Sequence, residues 1–523
     1  LLVELISSKG LKKAIEMIEG MFAFCLWDKK EKKFHLVRDR FGEKPLFYLL
    51  NQKEFVFGSE IKVIKEFFKS KKLETDDDSF KYFFALGYIP APYSIYKNIF
   101  KVLPSQIVTI KDGKILSKKK YWKKKESFSS TNFNLKDIQN MIEESVEKMM
   151  IADVEVGCFL SGGIDSSLIA SIMQKKSKKK IKTFSLGFNE KEYDESSYAK
   201  KIAQHLKTDH HEMILSIDDL LKNLKSLSKI YDEPFGDSSC LPTLFISKFA
   251  SRHVKVCLSG DGGDEMFLGY NRYKFAQRFE NMIFSQSKLK MLLLKLASKF
   301  PISLYDSLSY PISKTFGLHA LSHKVQKIIN ILASQNNTDF YARLNVMDNN
   351  LINFLSKELS KNKTRSKNNN LVENTQLLDF NYYLPNDILV KVDRASMKNS
   401  LEVRSPFLNR NLYEIMSSIP SYYKIQNGIS KNILKKILAH YIPSNLYNRP
   451  KMGFSIPLNR WIHSEKLKNK INSVINETKW ESCNIDKKTI VMTWQKFKKN
   501  KFCPPSLIWN YLMAGMWIEE NIK

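Results

Sequence analysis

Cysteine is scarce in this chain. There are six in 523 residues, Cys25, Cys158, Cys240, Cys257, Cys483 and Cys503, with no C-x-x-C pair among them. Such spacing suggests neither a zinc site nor a disulfide framework. Cys158 and Cys257 stand in apolar, strand-like runs and read as core residues. A reducing, cytoplasmic setting is the expectation. Long apolar runs are also missing. The longest, such as MLLLKLA at 291–297, are cut by lysine, well short of the ~20 residues a membrane-crossing helix needs. No signal peptide is visible, so no membrane partner is expected. No internal repeat is found.

Acidic residues are in deficit: 54 Asp and Glu stand against 84 Lys and Arg, a net charge of +30. A surplus of that size raises nucleic acid or an anionic membrane surface as partners. The lysines, however, fall in scattered runs such as 118–120 and 178–180. There is no arginine-rich stripe interleaved with aromatics, no helix-turn-helix and no zinc-finger spacing. The charge reads as solvated lysine-rich faces, and no nucleic-acid partner is expected. Hydrophobic residues make up 43% and aromatics 12%, ample for large cores in two or three domains.

The first ~120 residues carry the β-branched, alternating pattern of short strands. Met21–Trp27, Lys33–Val37, Leu46–Leu50 and Glu54–Phe57 are predicted strands, Ile61–Phe68 a short helix, and Gln106–Ile110 with Ile115 onward a hairpin closed by Asp112-Gly113. Lys118–Thr131, rich in Lys and Ser, reads as a linker. The period then changes. Leu135, Ile138, Ile142, Val146 and Met149 recur at helical spacing. Predicted strands at Glu155–Leu160, Ile181–Leu186, His211–Leu215 and Lys255–Leu258 alternate with helices at Ser166–Lys175, Ser196–Leu206 and Leu220–Tyr231. That alternation predicts a parallel sheet covered by helices on both faces. From about 270 onward the chain reads as helical, with a mobile loop expected over Ser360–Asn374.

Two strand ends carry the chemistry. FLSGGIDSS at 159–167 closes an apolar run and opens a helix, and VKVCLSGDGGDE at 254–265 ends in the same way. In a parallel sheet, ligands bind beyond the carboxyl ends of the strands. Gly162 and Gly163 permit close backbone approach. Their N–H groups and the helix start form an anion nest, joined by the hydroxyls of Ser161, Ser166 and Ser167. This is a phosphate cradle without the lysine of the common P-loop. It carries Asp165 instead. A carboxylate beside an anion requires a cation between them, and Mg²⁺ is held by one or two carboxylates plus phosphate oxygens. Asp165 is therefore a candidate Mg²⁺ ligand.

SGGxDS resembles the pyrophosphate-binding loop of the ATP pyrophosphatase superfamily. The resemblance extends to the glutamine-hydrolysing asparagine synthetases. It is carried in order by RDRFGEKPLFY (38–48), SEIK (59–62), SLGF (185–188), DEPFGDSS (232–239), LSGDGGDEMFLGY (258–270), RASMKNSLEVRSPFL (394–408) and RPKMGFSIP (449–457). What it implies is an α/β protein. An N-terminal remnant of an Ntn-hydrolase α+β sandwich (glutaminase type 2) is expected over 1–125, and a synthetase domain over 130–523. The latter has an adenine-nucleotide alpha-hydrolase-like parallel-sheet core at about 150–275 and a helical part at about 276–523. The implied reaction joins aspartate to AMP as a β-aspartyl-adenylate, releases pyrophosphate, and lets ammonia displace AMP to give asparagine. ATP and Mg²⁺ are the implied cofactors, with aspartate and glutamine or ammonia as substrates and a homodimer as a possible assembly.

The same resemblance assigns roles. Ser161, Gly162, Gly163, Asp165, Ser166 and Ser167 hold the pyrophosphate end of ATP. Leu160 and Leu186 match backbone contacts to adenosine, and Ser259 and Gly260 a further nucleotide contact. Asp165 and Asp264 match the metal ligands. Asp261 matches an acid that assists acyl-adenylate formation or takes a proton from ammonia. Lys451 matches a lysine that neutralises the α-phosphoryl transition state. Lys391, Asp393, Arg394, Glu402 and Arg404 form a charged run that either holds the two ends of aspartate or is a buried ion network. Relatives use an N-terminal cysteine as the glutaminase nucleophile. This chain starts at Leu1, so a truncated glutaminase without a nucleophile is expected, Cys25 being a buried strand thiol with no adjacent base. The expected consequence is synthesis from free ammonia without glutamine hydrolysis. Similar proteins amidate sugar acids of surface polysaccharides or activate other carboxylates, which stays open as an alternative acceptor.

Overall fold

Two small antiparallel sheets occupy the first 120 residues, and a parallel sheet follows. The computed structural model describes residues 1–51, 54–68, 73–123, 133–284, 293–294, 296–297, 321–361, 370–449, 456–499 and 503–522. One antiparallel sheet has the order β1-β2-β6-β7, from Ala23–Asp28, Lys33–Arg38, Gln106–Lys111 and Lys114–Lys120. The other is β4-β3-β5, from Phe55–Gly58, Phe47–Leu50 and Ile99–Lys101. Along β6 every second residue is buried, the period-2 signature of one face on a core. β7 is an exposed edge studded with lysine, which discourages pairing with another chain. Asp112 and Gly113 both have positive φ, 49° and 68°, the tight turn expected between β6 and β7.

Sequence alternation did not reveal three helices here. Leu2–Lys9 and Leu11–Met17 precede β1, and Asp77–Leu86 follows β4. The expected linker begins later than its composition suggests, because Lys118–Lys120 pair with Gln106–Val108. Residues 124–131 of that linker lie outside the described residues.

The parallel sheet has the order β10-β9-β8-β11-β12, from Asp209–Leu215, Lys182–Phe188, Val156–Phe159, Val256–Leu258 and Glu402–Arg404. Helices Leu135–Met150, Ile164–Lys176 and Ser196–Leu206 share one core with Cys158 and Leu258. Helices Ile217–Tyr231 and Cys240–Ala250 share another with Phe184 and Cys257 on the opposite face. Ile164–Lys176 is buried without interruption from Ser166 to Met173. A helix buried on all sides is a core element, and truncating Ile169 to Ala there costs about 2–5 kcal/mol. β12 was not expected. It comes from the stretch read as helical and extends the sheet by pairing with β11. The loop expected over Ser360–Asn374 is also corrected. Ser360 lies within helix Ile352–Lys361, and residues 371–374 belong to the fully buried helix Leu371–Leu378, while 362–369 lie outside the described residues. Apolar side chains at Leu371, Val372, Leu377 and Leu378 outweigh the polar composition around them.

The N-terminal sheets are tied to the rest by polar contacts. Asp39 accepts four backbone N–H groups, from Phe41, Gly42 and Glu43 at Oδ1 and from Lys44 at Oδ2. The turn so formed presents Lys44 to Asp393, Nζ to Oδ1 2.9 Å. Glu60 pairs with Arg394 at 2.9 Å, and Lys101 with Glu233 at 2.6 Å. Among the described residues no helix is long and apolar enough to cross a membrane.

Candidate active site

The chain runs from β8 to β9 to β10 in one direction, then returns to the other side of β8 to place β11. The gap between the carboxyl ends of β8 and β11 is thus a topological switch point, where open α/β sheets bind ligands. The strands end within one residue of each other: Leu258, the last residue of β11, lies opposite Cys158, the last but one of β8. Both Ser-Gly-Asp loops leave from this gap.

The first loop is a turn closed by its own hydroxyls. Ser161 Oγ and Ser166 Oγ lie 3.0 Å apart, and Ser167 Oγ donates to Gly163 O at 2.6 Å. Gly162 adopts φ 73°, and a Cβ on it would lie 2.8 Å from the Ala199 backbone nitrogen. Only glycine fits there. The helix Ile164–Lys176 begins without a side-chain cap, so its first N–H groups are available to an anion. Beside this loop a cleft is lined by Ser161, Ser185, Leu186, Phe188, Glu195 and Ala199. Leu160 is buried and donates its N–H to Phe184 O at 2.8 Å.

The second loop packs directly on the first. A Cβ on Gly260 would lie 2.9 Å from Asp165 Cβ, and one on Gly263 would lie 2.8 Å from Asp165 Cγ. Asp165 and Asp264 are brought to one cation, the ammonium of Lys431. Its Nζ is 2.7 Å from Asp264 Oδ1 and is also paired with Asp165. Lys431 is buried, in the left-handed region at φ 56°, at the start of helix Asn432–Leu438. Burial opposes its charge, but Asp165 and Asp264 outweigh that and raise its pKa. Two convergent carboxylates on facing loops are a donor set that suits Mg²⁺, which prefers few carboxylates plus phosphate oxygens. The residues present therefore fit the metal.

Asp261 is half-buried beside this pair and accepts from Ser259 Oγ at 2.7 Å. Burial raises its pKa, against the pull of Lys391 and the Ser259 hydroxyl. Ser259 N–H donates to Arg404 O at 2.9 Å, which fixes the loop to β12.

The charged run divides. Lys391 points inward, its Nζ 2.8 Å from both Asp237 Oδ2 and Ser239 Oγ, and its charge reaches Asp261. Asp393 and Arg394 instead hold the N-terminal sheets. Glu402 and Arg404 pair with each other at 2.6 Å on β12. Arg404 also donates to Met149 O and Ile151 O, at the end of helix Leu135–Met150. Lys451 lies outside the described residues. The start of its motif is described: Arg449 pairs with Glu195 at 2.6 Å and stacks 4.3 Å over Tyr198, beside the first loop.

Cys25 is half-buried in β1, and burial pushes its thiol up to about 11. Lys431 was not singled out from sequence. It stands in ISKNIL, with no spacing that separates it from other lysines. Asp237 lay inside a recognised motif without a role.

Residues 137–519 match the asparagine synthase family, and residues 1–122 match the glutamine amidotransferase domain. The chain is 29% identical over 520 residues to glutamine-hydrolyzing asparagine synthetase 1 of Bacillus subtilis, covering 98% of this chain and 79% of that protein. It is 35% identical over 396 residues to a provisionally named glutamine-hydrolyzing asparagine synthetase 2 of Methanocaldococcus jannaschii, covering 73% of each. The chain belongs to the asparagine synthase family, a family of glutamine-dependent carbon–nitrogen ligases.

Proposed function

We propose that the chain amidates aspartate to asparagine at the expense of ATP, through a β-aspartyl-adenylate, with AMP and pyrophosphate as products. The observation that carries this reading is the convergence of Asp165 and Asp264 on Lys431 at the β8–β11 gap. The N–H groups of Gly162 and Gly163, with Ser161, Ser166 and Ser167, bind the departing pyrophosphate. Leu160, Leu186, Ser259 and Gly260 line the nucleoside end. Asp165 and Asp264 would hold Mg²⁺, which when bound offsets phosphate charge. Asp261, whose pKa is raised by burial, is suited to take the proton that ammonia loses on attack. Lys451 is assigned to the α-phosphoryl group by its motif.

We further read residues 1–125 as glutaminase-type, of the Ntn-hydrolase class, and 130–523 as the synthetase unit. Nitrogen then reaches the adenylate as ammonia, whether released from glutamine or supplied free. The test is pyrophosphate release from Mg-ATP with ammonium and single carboxylic acids, products being identified by mass. Aspartate-dependent release of pyrophosphate with AMP and asparagine is expected. No release with any carboxylate would sink the adenylation reading.

A further inference from the structure

We infer that Glu195 and Arg449 form a brace behind the phosphate loop, and that both are positioning residues for the pyrophosphate end of the nucleotide. This rests on the proposed adenylation and names residues that give its phosphate site its shape.

The brace joins three stretches distant in sequence. Glu195 immediately precedes helix Ser196–Leu206, and its carbonyl accepts the N–H groups of Tyr198 and Ala199 at 3.0 and 3.2 Å. Those two residues form the surface against which Gly162 sits. A Cβ at position 162 would lie 3.0 Å from Tyr198 Cβ and 2.8 Å from Ala199 N. Arg449 touches both sides of that contact. Its Nη1 donates to Glu195 Oε1 at 2.6 Å, and its guanidinium lies 4.3 Å from the Tyr198 ring centroid. Its Nη2 stands 3.5 Å from Ser161 O, the outer limit of a hydrogen bond. One side chain thus holds the start of the helix and the residue before Gly162.

The ion pair is shielded from water, its side chains 12% and 11% exposed. Such a charge-assisted bond counts for more than a surface pair, and a lysine cannot reproduce the planar fork that spans two acceptors. The loop that carries Glu195 is tied a second time, because Trp461 Nε1 donates to Glu190 Oε1 at 2.7 Å. Glu195 also lines the cleft that holds Ser161, Ser185 and Leu186. Glu195 neutralises the guanidinium, so Arg449 offers the phosphates little net charge. What it supplies is the placement of Ser161 and Gly162.

The experiment titrates Mg²⁺ with inorganic pyrophosphate, and separately AMP, into the full 523-residue chain by calorimetry, independent of turnover. E195Q and R449M keep side-chain size and remove the ion pair. Each is expected to weaken pyrophosphate binding roughly ten- to hundredfold, the range of one charge-assisted hydrogen bond, while AMP stays within about twofold. The double variant is expected to be no weaker than the weaker single one, because the two residues act as a unit. An Arg449 that worked on the phosphates by charge predicts the reverse for E195Q, which frees the cation and tightens pyrophosphate. Pyrophosphate binding that tightens or does not change in E195Q overturns the brace. An equal loss of AMP binding, additive losses in the double variant, or a wild type that binds no pyrophosphate overturns it as well. R449K keeps the charge and covers the case in which the other variants do not fold. It is expected to lose about three- to tenfold, and an unchanged affinity overturns the brace. Pyrophosphate release in turnover, with binding indifferent to these variants, sinks the brace alone. Brace-dependent binding without release sinks the adenylation reading and leaves the brace standing.

Discussion

Lys431 sets its Nζ 2.7 Å from Asp264 Oδ1 and pairs with Asp165 through the same nitrogen. One ammonium therefore ties together loops from two neighbouring strands. Lys431→Met leaves two facing carboxylates with no cation between them. Pyrophosphate release is expected to fall by roughly a hundredfold or more, as when a preorganised charge is deleted from an active site. The deserted acid pair should also draw in a divalent ion. Mg²⁺ without nucleotide is then expected to raise the melting temperature of K431M more than that of wild type. Equal shifts in the two proteins would separate the acid pair from metal binding.

Gly260 is a contact point between the loops and not only a hinge. Its φ is not in the left-handed region, so an alanine is tolerated by the backbone. The added Cβ, however, would meet Asp165 Cβ at 2.9 Å and Ser166 N at 3.2 Å. One loop must retreat. G260A is expected to lose about 1–3 kcal/mol of stability by overpacking, with a larger effect on the KM for ATP than on stability. Urea denaturation beside ATP kinetics checks this. An unchanged KM would mean that the spacing of the loops does not matter to the nucleotide.

The parallel sheet was legible because its strands and helices alternate in period, and because each glycine loop follows an apolar run. β12 was not, since Glu402, Val403 and Arg404 are three residues with two charges, and only their pairing with β11 makes them a strand. Asp165 could be read from its own loop, and Asp264 as its partner only from the family resemblance of the second loop. Lys431 could not, because nothing local distinguishes it from the other lysines and its role arises only when residues 266 and 167 positions away fold onto it. The run from Lys391 to Arg404 was read as one charged unit. In the fold it serves three places, because a helix and a strand turn its members in different directions.

Cys25 offers a clean negative prediction. Burial pushes its thiol up to about 11, so at neutral pH almost none of it is the nucleophilic thiolate. C25S is expected to leave the ammonium-supported rate, and any glutamine-supported rate that wild type shows, within twofold of wild type. Loss of only the glutamine-supported rate would make Cys25 a nucleophile and overturn the reading of β1 as structural.

Lys424 gives the stability of the protein a pH dependence that is independent of the nucleotide site. It is buried at the C-terminal end of the short helix Ser421–Lys424, and burial lowers its pKa to about 7, with Glu373 pulling the other way. The unfolded chain keeps a lysine near its ordinary value of about 10.4. Between those two values the unfolded state binds more protons than the folded one, so stability rises with pH. Below pH 7 both states are charged, and the penalty of burying the charge is constant. Above pH 10.4 both are neutral, and the penalty is gone. The climb amounts to on the order of 3–5 kcal/mol for this group. Lys424→Met keeps the length of the side chain and removes the charge. The difference in stability between K424M and wild type is therefore expected to be largest below pH 7 and to shrink steadily toward pH 10. Glu373, which burial pushes up to about 7, acts with the opposite slope between its ordinary value and 7, but it is present in both proteins. Calorimetric melting at half-unit steps from pH 6 to 10 measures the difference, and a gap that does not narrow with pH would mean that Lys424 is charged in the folded protein throughout.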